Sequence, residues 1–79
     1  MNNQTREIVA AIAKHLGVTP QDIDINSNLE TDLGLGPLER ADLLSEMANI
    51  FKISFDPTEI EEIETVNDLV VMIEDLLLE

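Results

Sequence analysis

Cysteine, tryptophan and tyrosine are absent from the 79 residues, and Phe51 and Phe55 are the only aromatics. Without cysteine there is no disulfide framework and no thiolate metal site, so the chain suits a reducing compartment. With so few rings the core has to be aliphatic, built from Leu, Ile, Val and Met. Basic residues are scarce as well: four Lys and Arg stand against seventeen Asp and Glu, a formal charge of −13. That balance argues against nucleic acid or anionic membranes; it suits a partner with a basic face or divalent cations, and equally an acidic surface that simply keeps a small protein soluble. No apolar run approaches the ~18 residues of a membrane span, and no secretion signal is visible. A soluble, cytoplasmic, monomeric protein is expected. The lone histidine, His15, has no Ser or Cys nucleophile near it in sequence and reads as a structural or surface residue.

What is present is helical periodicity. Hydrophobic residues make up 44% of the chain, enough for one modest core, so the acidity does not signal disorder. Asn3 is placed to cap a helix whose apolar stripe is Ile8, Val9, Ile12, Ala13 and Leu16, with Gly17 as its stop. Residues 17–35 then form a long crossover, pinned by Ile23, Ile25, Leu29 and Leu33 and containing a single capped turn at Thr19-Pro20-Gln21-Asp22. Gly36-Pro37 starts a second helix running to about Lys52, because proline at the first helical position has the required φ and needs no N–H partner. Its apolar arc takes in Ala41, Leu43, Leu44, Met47, Ala48, Ile50 and Phe51. Glu39, Asp42, Glu46 and Asn49 fall on the other side, and Arg40 is a misfit within the arc whose stem is expected to snorkel outward. Asp56-Pro57 opens a short helix to about Ile63, and Thr65 caps a last one striped by Val66, Leu69, Val70, Ile73 and Leu77. The expected fold is all-α: one domain over residues 1–79, three long helices and one short, with a long loop between the first two.

Few residues suggest chemistry. Asp22, Asp24, Asn26, Asn28 and Glu30 alternate like a calcium loop, but Ser27 replaces the turn glycine and Leu33 the closing glutamate, so that reading fails. Glu59, Glu61, Glu62 and Glu64 form one carboxylate cluster, and Glu39, Asp42 and Glu46 another. Each is read as a solvated acidic face, and no specific metal site is expected.

The run Asp32-Leu33-Gly34-x-x-x-Leu38-x-x-x-Asp42-Leu43, then Ile50-Phe51, a capped short helix and Thr65-Val66-x-Asp68, resembles the acyl carrier protein family. The likeness spans nearly the whole chain, including Leu16-Gly17-Val18 at the end of the first helix. It implies a helical shuttle for acyl chains in fatty-acid, polyketide or peptide-type synthesis, itself not an enzyme. It also implies docking to acyl-transferring or adenylating enzymes through Glu39, Asp42 and Glu46. The family's attachment serine, which carries 4′-phosphopantetheine, aligns with Pro37, between Gly36 and Leu38. Proline has no hydroxyl, so no prosthetic group is expected on this chain. The resemblance therefore implies a docking or regulatory relative of the carriers. The alternative is a specialised carrier, of the Gly-Ser-Leu kind, whose serine has been replaced.

Overall fold

The computed structural model describes residues 1–78. Helix α1 (Asn3–Leu16) is followed by a 3-10 turn over Pro20–Asp22, then α2 (Pro37–Phe51), α3 (Pro57–Ile60) and α4 (Val66–Leu77). Among the described residues there is no strand, only an isolated antiparallel bridge between Asn28 and Thr65. The all-α expectation holds, with three long helices and one short.

The stripes read from the sequence are the faces that meet. Ile8, Val9, Ile12 and Ala13 of α1 are buried, as are Val66, Leu69, Val70 and Ile73 of α4, and Leu43, Leu44 and Met47 of α2. Leu29 from the crossover and Ile63 from the turn before α4 complete the core, which contains no buried polar residue among those described. α1 lies in the middle, in contact with both α2 and α4. Thr5 of α1 also donates its hydroxyl to a Glu74 carboxylate oxygen of α4.

Three details depart from the sequence reading, while the end of α2 agrees with it. The α1 cap is Asn2, whose side chain accepts from the Thr5 amide at 2.7 Å, one residue before the expected Asn3. α2 ends at Phe51, because Lys52 turns left-handed (φ 55°) and closes the helix onto the Ala48 carbonyl. α3 ends at Ile60, where the Glu62 and Ile63 amides bond three residues back and the chain dives to bury Ile63. Ala41 and Ile50, counted in the α2 apolar arc, are exposed: the arc is wider than the face that α1 and the crossover cover.

The crossover is held like an element. Ile25 and Ser27 carbonyls accept from the Asn67 and Val66 amides at the start of α4, and the Leu29 amide donates to Glu64 O at 2.8 Å. Asn28 and Asp32 then close a turn. The Asn28 side chain accepts from the Glu30 and Thr31 amides, and the Asp32 carboxylate accepts from the Asn28 amide at 2.7 Å. Gly34, at φ 69°, takes the left-handed conformation that glycine adopts without a Cβ penalty. These bonds aim the chain into α2.

Candidate functional site

The delivered end of α2 is the place to look, since loops held on a rigid scaffold are where binding residues concentrate. Gly36 is its extended N-cap and Pro37 its first residue, and no side chain among the described residues caps it. Pro37 is exposed, and Leu38 beside it is 73% exposed, an apolar side chain held in water at the tip of the helix. The Glu39 carboxylate folds back over Gly36, with an oxygen 2.7 Å from where a β-carbon on residue 36 would stand. Asp42 and Glu46, three and seven residues further on, are also exposed. The structure thus brings Gly36, Pro37, Leu38 and Glu39 together at one tip. Asp42 and Glu46 continue along the same solvent-facing strip.

Two neighbours were less legible. Arg40, the misfit of the apolar arc, does not run outward alone: it is half-buried and its guanidinium donates to the carbonyl of Ile60, the last residue of α3. Asp32, prominent in the Asp-Leu-Gly run, fastens the crossover turn rather than facing the helix tip. The Asx spacing of Asn28 to Asp32 was a signal for that role; nothing in the sequence pointed from Arg40 to a residue twenty positions away.

His15 lies exposed near the C-terminal end of α1, where a basic residue faces the negative pole of the helix. Among the described residues no three His, Cys, Asp or Glu side chains converge as they would around a metal ion. No helix of the described residues is long and apolar enough to cross a membrane.

A helical bundle with a loop-delivered second helix, an exposed tip and an acidic strip fits a carrier-type domain, and comparison with known sequences shows the family. The sequence model of the phosphopantetheine attachment site matches residues 6–73. The acyl carrier protein of Amoebophilus asiaticus is 30% identical over 79 residues, covering 100% of this chain and 99% of that protein. Those of Phytoplasma australiense and Thermotoga maritima are each 31% identical over 68 residues, covering 86% of this chain and 90% and 84% of their own lengths. The chain belongs to the acyl carrier protein family, whose members carry 4′-phosphopantetheine and work with enzymes of acyl metabolism.

The prosthetic group needs a hydroxyl for its phosphodiester, and the tip of α2 offers none at residue 37. Ser45, the hydroxyl on the same helix, stands about 12 Å further along the axis. Gly36, Pro37, Leu38 and Glu39 at the tip carry no hydroxyl.

Proposed function

We propose that this chain is a carrier-like domain, spanning residues 1–79, that docks to enzymes of acyl metabolism without carrying the prosthetic group. The observation that supports this reading is Pro37, an exposed first residue of α2 with no nucleophile, at the position the resemblance pairs with the attachment serine. Proline starts a helix as well as serine does, so the exchange removes the chemistry and keeps the scaffold. Glu39, Asp42 and Glu46 form the docking strip, and their partner presents a basic face. Charges so placed speed encounter and set orientation more than they add affinity. The domain is a cytoplasmic monomer and catalyses nothing itself; any reaction belongs to the partner. With its charge of −13 it avoids nucleic acid and membrane surfaces.

A second reading is supported by the Gly36-x-Leu38 frame: a specialised carrier in which serine has been exchanged for proline, with everything else intact. One experiment separates them. Incubated with coenzyme A and a broad-specificity phosphopantetheinyl transferase, the chain should keep its intact mass; an adduct on any residue would overturn the proposal. The Pro37→Ser chain is then offered to the same enzyme. Efficient loading favours the specialised carrier, and a folded chain that stays unmodified favours a tip that has diverged further.

The docking strip is tested on that Pro37→Ser background where loading occurs. Glu39→Lys with Asp42→Lys should lower kcat/KM for loading about tenfold or more, through association. Glu7→Lys with Asp75→Lys, an equal charge change on exposed positions elsewhere, should have a several-fold smaller effect. Equal losses would mean that overall charge, not the strip, is recognised.

A further inference from the structure

We infer that the cleft between α4 and the turn after α3 is a docking groove for a cationic amphipathic helix of a partner protein. α4 is apolar beyond the stripe it buries. Val66, Leu69, Val70 and Ile73 meet the core, while Val71 is 44% exposed and Met72 and Leu76 are only partly covered. These last three line an open cleft of about 500 Å³. An apolar flank beyond the core-facing stripe of a helix is a surface that takes a further neighbour.

Charge selects that neighbour. Glu59 and Glu62 stand on the α3 side of the cleft and Asp68 and Asp75 on α4, and none of the described residues lining it is basic. Like charges on both walls resist closing the cleft on itself, and a cationic guest relieves that repulsion as it enters. One end of the rim is fixed in advance. The Asp68 carboxylate accepts from the Thr65 and Glu64 amides, both at 3.0 Å, and the same bonds hold its carboxyl below the ordinary value. Asp75, seven residues on, lies about 10 Å further along the helix. A partner helix with Lys or Arg two turns apart, beside apolar side chains spaced by three and four, matches both the rim and the floor. The rim turns away nucleic acid and anionic membranes, which leaves a protein segment as the occupant. This groove is separate from the strip on α2, and its use does not depend on what residue 37 carries.

Titration of the folded chain with a synthetic helix tests the groove. The probe is a fluorescently labelled peptide of Leu and Lys, about four turns long, with its leucines on one face. Its control has the same composition with the leucines scattered around the helix. By fluorescence anisotropy the amphipathic peptide should bind about tenfold tighter than the control or better, and amide chemical shifts should move around Val71, Met72 and Asp75. Val71→Glu makes the chain more acidic, so an association driven by charge alone would tighten. Seating in the groove should instead weaken about tenfold. Glu62→Gln with Asp75→Asn should weaken binding about fivefold, and Glu39→Gln with Asp42→Asn, an equal charge change on α2, less than about twofold. If Val71→Glu tightens binding, or the two double variants weaken it equally, overall charge attracts the peptide and the groove is wrong. Shifts confined to α2, or no preference for the amphipathic peptide, overturn it as well. Should Val71→Glu fail to fold, Val71→Ala carries the test: a loss of about threefold supports the groove, and an unchanged affinity overturns it.

Discussion

The starts of α2 and α4 solve the same problem in opposite ways. Any helix leaves its first amides without internal partners. At α4 they are answered in turn: Val66 donates to the Ser27 carbonyl, Asn67 to Ile25, and Asp68 to the Thr65 hydroxyl. The Asp68 carboxylate reaches back to accept from the Thr65 and Glu64 amides, both at 3.0 Å, completing a capping box. At α2 the device is Pro37 alone, with an extended glycine before it and no side-chain cap. One start is bonded into the fold and joins the crossover to the last helix. The other is left at the surface with its tip open. The bonds at the tied start hold the crossover that delivers the open one.

The largest effect should therefore come from cutting the tied start. Thr65→Ala removes the oxygen that Asp68 N bonds and leaves half of the box. Loss of a side-chain cap costs about 1 kcal/mol, which for a chain of this size lowers Tm by about 4–8 °C. Thermal unfolding followed by circular dichroism measures it. A shift under about 1 °C would mean that the crossover carbonyls alone secure α4, and the contrast between the two starts would dissolve.

Acid should reach the same box from another direction. The Asp68 carboxyl is held below its ordinary value, chiefly by the Thr65 amide and then by the Glu64 amide. A carboxyl lowered on folding contributes stability that is present above the unfolded value, about 3.9, and is lost as pH falls through the lower folded one. Asp68→Asn should thus be less stable than the parent at pH 7, and the gap should close as pH falls below the usual carboxylate range. Taking the difference between the two chains largely cancels the relief of acidic self-repulsion, which both share. The Tm difference, measured from pH 7 to about pH 2.5, should shrink; a constant difference would assign the loss to packing. Asp56, lowered first by the Thr58 hydroxyl, titrates in the same direction but caps only the short α3, so the Asp68 pair reads the box specifically.

How far the residues themselves disclosed this arrangement follows from range. The α1 and α4 stripes and the Thr65 cap are encoded within one or two turns, and they were legible. So was the start of α2, because Gly36-Pro37 acts on its own backbone. The ends were harder. α3 stops at Ile60 because Ile63 is drawn into a core that only the assembled helices create. The exposed Ala41 and Ile50 misled for the same reason: periodicity shows which face is apolar, and the neighbours decide how much of it is covered. Arg40 was recognised as out of place, yet its partner is a backbone carbonyl, which no side-chain pattern announces. Gly36-Pro37 marks the start of α2 in the sequence, and the helix begins there in the structure.

The smallest expected effect is at the open start. Pro37→Ser places a hydroxyl at the first helical residue and an N–H on its backbone. Pro37 is exposed and its ring covers part of a shallow groove rather than core, so little apolar burial is lost. Serine gives up the pre-set φ, which costs a few tenths of a kcal/mol through the unfolded chain. Stability should therefore stay within about 0.5 kcal/mol of the parent, the range usual for surface exchanges. Thermal unfolding under the conditions used for Thr65→Ala makes the comparison direct. A loss as large as that of Thr65→Ala would show that Pro37 is as structural as the capping box, and that the proline was retained for the fold. A near-zero change leaves its consequence in chemistry alone, since the same scaffold would then stand with or without the nucleophile.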